Sequence, residues 1–287
     1  MNLRYGVSSC LAAGPSRAGF LEKLAAAGFA DLELGADAGS FGGWLTHPAR
    51  ARREIEAAGL RVRSVHTPEA GWDNSAPDPD KRRAAAGAAA ACLGPAAEVG
   101  AGVVVWHPTY SGHDWSPAAV AGHVARSGEA LAAFAAAARA AGLRVAVENL
   151  PRRGTPRPLA SVVELLPFVA AHGADVGICL DAGHSNANGL SAAEEVRAAG
   201  SRLFATHIQD NDGQGGDQHL LPGRGTTDWP AFVRALDATG YSGGRIFEVV
   251  GAGGGVADVL DALARTARDW TSQREVGRKE AQDAQGA

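Results

Sequence analysis

Short apolar runs of β type alternate along the chain with longer Ala-, Leu- and Arg-rich stretches of helical period, the pattern of parallel βα units. The runs Arg4–Ser8, Asp31–Leu34, Arg61–His66, Gly102–His107, Arg144–Glu148, Val176–Leu180, Leu203–Ile208 and Arg245–Val249 predict eight strands. Helices ahead of three of them close on Ala-Ala-Gly, at Gly28, Gly59 and Gly142, and Gly240 stands in the same place before the last run. A glycine there takes the left-handed cap that stops a helix. One unit repeated about every 35 residues accounts for nearly the whole chain, so no second domain is needed. The expected fold is α/β, a single (β/α)8 barrel over residues 1–270, close to the usual size of roughly 250 residues.

The Ala-rich segments 84–97 and 130–141 look low in complexity. They keep leucine, valine and phenylalanine at intervals that suit outer barrel helices, so they are read as structure. After Trp270, the polar run 271–287 predicts a frayed helix and then a disordered C-terminal tail.

Composition narrows the function classes. The chain has 27 basic and 31 acidic residues, net −4 with histidine neutral, and its only lysines are Lys23, Lys81 and Lys279. No global basic field for nucleic acid exists. Cys10, Cys92 and Cys179 are far apart, without the spacing of a zinc or redox site, and read as small apolar residues. The first residues enter a strand without the apolar core of a signal peptide, and no run approaches the ~18 apolar residues of a membrane span. The expectation is a soluble cytoplasmic protein without a membrane partner. No extended hydrophobic seam marks the outer helices, so a homo-oligomer stays open.

The informative feature is where polar residues end the strands. Glu33, His66, His107, Glu148, Asp181 with His184, His207 with Asp210, and Glu248 all sit at or near such ends. In a barrel the C-terminal strand ends converge on one mouth, so these metal-ligand types become neighbours. A single histidine after a strand is commonly a packing residue. Carboxylates ending the apolar strands Val145-Ala146-Val147-Glu148, Ile178-Cys179-Leu180-Asp181 and Ile246-Phe247-Glu248 are harder to dismiss, because burying them costs several kcal/mol unless a cation or hydrogen bonds compensate. With His207 they imply a divalent cation; carboxylate oxygen mixed with imidazole suits Mn2+, Mg2+, Co2+ or Zn2+.

Taken together, Val147-Glu148-Asn149, Leu180-Asp181-x-x-His184, His207-x-x-Asp210, Asp217-x-His219-x-x-Pro222-Gly223-x-Gly225 and Phe247-Glu248 resemble the xylose isomerase-like TIM barrels. That superfamily includes sugar isomerases, ketose 3-epimerases, inosose dehydratase and the endonuclease IV-like apurinic endonucleases. The resemblance covers roughly residues 4–260. In the epimerase branch it implies one metal ion held by Glu148, Asp181, His207 and Glu248. Glu148 and Glu248 would also act as the acid–base pair, moving a proton through a metal-stabilised enediolate of a sugar or sugar phosphate. His184 would contact the substrate, Glu33 and Trp106 would shape the pocket, and Arg152, Arg153 and Arg224 are candidates for an anionic substrate group.

The endonuclease branch implies three zinc ions held by nine ligands, so a site with two or three ions is chemically available. All nine of its ligand types have a match here, adding His66, His107, His184, Asp217 and His219 to the first four. Alternatives to the isomerase or epimerase are therefore a metal-dependent keto-sugar or inosose dehydratase or lyase, and a multinuclear phosphodiesterase. The charge balance opposes the last, since nucleic acid asks for many cationic contacts. A barrel that only binds a sugar has the least support, because both acid–base glutamates and the metal histidine are intact. The loops also hold Trp44, Trp72, Tyr110 and Trp115, which can stack on a sugar or close a loop.

Overall fold

The computed structural model describes residues 3–12, 17–37, 41, 43–69, 71–110, 112–250 and 255–285, with side chains except at 17, 18 and 273–285. Its strands are β1 (Gly6–Ser8), β2 (Asp31–Gly35), β3 (Arg61–His66), β4 (Val103–Trp106), β5 (Arg144–Glu148), β6 (Val176–Asp181), β7 (Leu203–Ile208) and β8 (Gly244–Phe247). Each pairs in parallel with its neighbour in sequence, and β8 pairs with β1, so the sheet closes into the expected eight-stranded barrel. The ends differ from the sequence reading by one or two residues. β4 stops before His107 and β8 before Glu248, although the Glu248 N–H still donates to the Ile208 carbonyl at 3.1 Å. β6 takes in Asp181, which pairs in register with His207 of β7.

Side chains alternate across each strand, which divides the apolar residues into two layers. Val103, Val105, Ala146, Cys179, Phe204 and Ala205 fill the barrel interior, the consecutive Phe204 and Ala205 both joining it because the β6–β7 register shifts there and skips Phe204. Their neighbours Val104, Trp106, Val145 and Val147 face outward into the larger core shared with the helices. Trp106 is buried there with its ring stacked on Phe134 of the helix Pro117–Ala140, centroids 6.2 Å apart. This corrects its assignment to the pocket, since Trp106 has the outward parity of β4.

The Ala-rich segments are helical, in Pro79–Ala91, Leu93–Glu98 and Pro117–Ala140. Asp78, Ser161, Ser191 and Asp228 cap helices by accepting a first-turn N–H. Gly28, Gly59, Gly142 and Gly240 have φ of 96°, 76°, 75° and 69°, the left-handed caps that the repeated phrase predicts. The last helix, Val256–Gln285, runs past Trp270, whose ring stacks on Trp229 at 5.5 Å. Among the described residues no helix is long and apolar enough to cross a membrane.

Candidate functional site

Strand register brings the expected residues to one end of the barrel. Glu148 and Asp181 are the last residues of β5 and β6, His207 is the penultimate residue of β7, and Glu248 follows β8. All four are buried, and one ligand atom from each lies within 4.8 Å of the others. His66 ends β3 and His107 follows β4; their Nε2 atoms lie 3.2 and 3.3 Å from Glu148 Oε2. His184, on the short helix Ala182–Ala187, and His219 both face Asp217 Oδ1, at 3.3 and 3.0 Å. Asp181 caps that short helix, its Oδ1 accepting the His184 N–H at 2.6 Å.

The hydrogen bonds of the histidines follow one pattern. His66 Nδ1 donates to the Thr67 carbonyl at 2.7 Å, His184 Nδ1 to that of Asn149 at 2.8 Å, and His219 Nδ1 to that of Glu248 at 2.9 Å. His207 donates from Nε2 to Glu33 at 3.1 Å. These partners assign the tautomers and turn the second ring nitrogen toward the carboxylates. His207 Nδ1 then lies 3.3 Å from both Glu148 and Glu248, with no hydrogen-bond partner; His184 Nε2 and Asp181 Oδ2 also have none. A buried lone pair facing carboxylate oxygen is tolerable only with a proton or a cation between them. One ring nitrogen anchored and the other aimed at a cluster of oxygens is the arrangement of metal-binding histidines. The donor set therefore fits a divalent ion.

The electrostatics carry the same imprint. Burial alone would keep the imidazoles neutral, yet the surrounding carboxylates raise His66, His184 and His207 well above 6.5 and His219 to about 10. Burial would also raise Glu148, but His207, His107 and His184 hold it well below the usual carboxylate range. Glu248 behaves in the opposite way. Burial, helped by Glu148 and Asp181 and opposed by His207 and His219, pushes it up to about 7. The two carboxylates thus meet at one imidazole nitrogen with opposite proton affinities.

Asp210 is not part of the cluster. It is fully buried and accepts N–H groups from Gly223 at 2.8 Å and Gly225 at 3.0 Å, and the Trp229 indole at 2.9 Å. It thereby anchors the Pro222–Gly225 loop that follows His219, whose own φ is +48°. A Cβ at Gly225 would lie 2.0 Å from the Asn211 carbonyl oxygen, so only glycine fits that turn.

A cavity of about 280 Å3 opens over the cluster, lined among others by Glu148, His184, Asp217, His219 and Glu248. Its size is near the lower end of the roughly 300–1,000 Å3 of small-molecule sites. Trp72 and Tyr110 line it and are the exposed loop aromatics, whereas Trp44 and Trp115 are buried. Larger cavities of about 530 and 720 Å3 lie at the opposite end, around Arg61, Arg63 and Tyr241, away from this set of metal-ligand types.

Besides Trp106, three expected pocket residues lie elsewhere. Glu33 is fully buried beneath His207, bonded to it and to the Ser64 hydroxyl at 2.6 Å, so it orients the imidazole and does not line the cavity. Arg152 pairs with Glu164 at 2.5 Å, and Arg224 is exposed; neither lines the cavity. Arg153 does line it, with Arg157, Glu69 and Thr109, which the strand-end pattern missed because they come from loops. Glu69 Oε1 is 3.2 Å from His66 Nδ1 and, with His66 and His107, completes a third group of clustered ligand types.

Comparison with known proteins agrees with this fold. A curated relative, y4fM of Sinorhizobium fredii (strain NBRC 101917 / NGR234), is 36% identical over 100 residues, 34% of this chain. The match spans about a third of that protein's length, 31%. Among solved structures, a D-tagatose 3-epimerase-like protein superposes with a TM-score of 0.79 at 21% identity, covering 94% of this chain and 98% of that one. An L-ribulose 3-epimerase gives 0.79 at 22% identity, covering 99% and 98%. At such identities the likeness is one of fold. The family model described as xylose isomerase-like TIM barrel matches residues 21–273, nearly the whole barrel. The chain belongs to the xylose isomerase-like TIM barrel family.

Proposed function

We propose that the protein is a divalent-metal-dependent isomerase or epimerase of a small sugar or sugar phosphate, working by acid–base proton transfer beside a carbonyl. One observation carries this reading: the convergence of Glu148, Asp181, His207 and Glu248 beneath a small cavity, with Asp181 Oδ2 and His207 Nδ1 lacking any hydrogen-bond partner. Those four residues would hold the ion, and hard oxygen with imidazole suits Mn2+, Mg2+, Co2+ or Zn2+. When bound, the ion supplies positive charge that polarises a substrate carbonyl and acidifies the adjacent C–H.

Glu148 and Glu248 then divide the proton work. Glu148 ends β5 and Glu248 follows β8, so the two carboxylates reach the cavity from different sides of the cluster; one would take the proton beside the carbonyl and the other, protonated from solvent, would return one. Trp72 and Tyr110 provide aromatic faces for a sugar ring, and His184 is in place to contact a substrate oxygen. The epimerase names of the structural neighbours support this substrate class.

A second reading has a specific observation in its favour. His184, Asp217 and His219 form a separate group of ligand types, as do His66, Glu69 and His107. Two or three ions held this way suit hydrolysis of a phosphoester. A panel of ketoses in deuterated water with metal-loaded protein separates the readings. Deuterium incorporated beside the carbonyl supports isomerisation or epimerisation, while phosphoester cleavage without any exchange overturns it.

A further inference from the structure

We infer that the substrate carries an anionic group, phosphate ester or carboxylate, clamped by Arg153 and Arg157 on the wall of the mouth formed by the loops after β4 and β5. This rests on the reading of the mouth as a sugar site, and it names the substrate class more closely. Arg157 is 5% exposed and lines the cavity. Its guanidinium donates from Nε to Thr109 Oγ1 at 2.9 Å, from Nη2 to the Thr109 carbonyl at 2.6 Å and from Nη1 to the Pro151 carbonyl at 3.2 Å.

All three acceptors are neutral, and among the described residues no carboxylate lies within ion-pair distance of Arg157. Of the five N–H donors of a guanidinium, two remain unused. A buried cation without a counterion is costly unless a ligand provides the charge. Burial, reinforced by nearby Arg153 and only partly offset by Glu148, Asp217 and Asp73 beyond ion-pair distance, lowers the Arg157 pKa to about 10. Like charges are brought together here, contrary to what stability alone favours.

The backbone supports a built site. Arg153 has φ of +51° and Leu159 +60°, left-handed values that L residues seldom adopt, and Gly154 between them has +72°. Strain of this kind persists where surrounding structure enforces it, often at ligand clamps. The sequence Pro151-Arg152-Arg153-Gly154-Thr155-Pro156-Arg157 thus holds two guanidinium groups at the cavity while Arg152 turns away to Glu164. Arg153 is half-exposed and touches Asp217 Oδ2 at 3.1 Å, which ties the clamp to the His184–His219 side.

Asp37, Glu69, Glu148, Asp217 and Glu248 also line the cavity and would repel an anion. The topology separates the extremes. Arg157 is fastened to Thr109 and Pro151, which follow β4 and β5, whereas Glu248 follows β8, opposite β4 in the closed ring. A sugar can therefore place its carbonyl end over the cluster and its anionic end against the arginines.

Calorimetric titration of metal-loaded protein with D-fructose 6-phosphate, D-fructuronate and D-fructose tests this. At least one anionic sugar should bind about tenfold tighter than D-fructose, and which one identifies the group. Arg153→Ala, at a half-exposed position, should reduce that preference about threefold, lowering affinity for the anionic sugar more than for D-fructose. Arg157→Lys keeps the charge but loses the fork, and should reduce the preference further. Equal affinities, no binding of any of the three, or an equal loss for all three in Arg153→Ala overturns the inference. Titration reads binding and not turnover, so an anion preference without deuterium exchange would defeat the isomerase reading alone.

Discussion

His207 donates its Nε2–H to Glu33 at 3.1 Å from a strand three positions away in the closed ring, and so presents Nδ1 to Glu148 and Glu248. The two residues are 174 positions apart in sequence, and both are fully buried. Ser64 donates to the same Glu33 carboxylate, so the imidazole is held by a second layer that is itself held. A carboxylate behind a metal-binding histidine sets the tautomer and strengthens the ligand.

Glu33→Gln keeps the shape and one acceptor oxygen but removes the charge behind His207. Metal affinity should fall about 10- to 100-fold, measured by competition with a chromophoric chelator, with the barrel still folded by circular dichroism. Unchanged affinity would mean that Glu33 serves only to satisfy the core.

The proton affinities set a pH dependence. His207 is raised well above 6.5 and Glu248 to about 7, so both carry protons in the metal-free protein near pH 6 and must release them to bind an ion. A group that binds a proton in the free state and loses it on binding makes affinity rise with pH. Affinity should therefore climb between pH 6 and 8, with net proton release in titrations repeated in buffers of different ionisation enthalpy. Flat affinity over that range would contradict these assignments.

Glu148→Gln and Glu248→Gln should each leave the barrel folded and lower turnover about 100- to 10,000-fold, the usual contribution of a positioned acid or base. Both also sit among the proposed metal ligands, so metal content must be measured beside the rate. A fully active Glu148→Gln variant would remove that residue from the mechanism.

Gly225→Ala puts a Cβ 2.0 Å from the Asn211 carbonyl, where backbone must move. The cost should be about 1–3 kcal/mol, read from denaturant unfolding, with the displaced loop weakening whatever His219 holds. Wild-type stability would show that the Asp210 network can shift without strain.

Much of this was legible from residue types at strand ends. Glu148, Asp181, His207 and Glu248 stand out because each interrupts an apolar run, and closure of the barrel gathers them. Parity decides the rest. Trp106 stands one residue beyond inward-facing Val105 and so points to the helices, a fact available from the alternation along β4. Glu33 lies two residues inside the end of β2, a layer below the mouth, which explains why it meets His207 and not the cavity. Arg157 and Glu69 belong to irregular loops, whose paths follow tertiary contacts such as Arg157 with Thr109 and leave no periodic trace. The sequence offers Arg152 and Arg153 alike as candidates, with nothing in it to separate the one that turns to Glu164 from the one that lines the cavity.

The central claim is that Glu148, Asp181, His207 and Glu248 hold a divalent ion, and elemental analysis of protein purified without chelator tests it most directly. The expected result is about one Mn, Mg, Co or Zn per chain in the wild type, lost in Asp181→Ala while a His219→Ala variant retains it. Two or three ions per chain, one of them lost in His219→Ala, would favour the hydrolytic reading. A wild-type protein without divalent metal that takes up none on titration would contradict the claim.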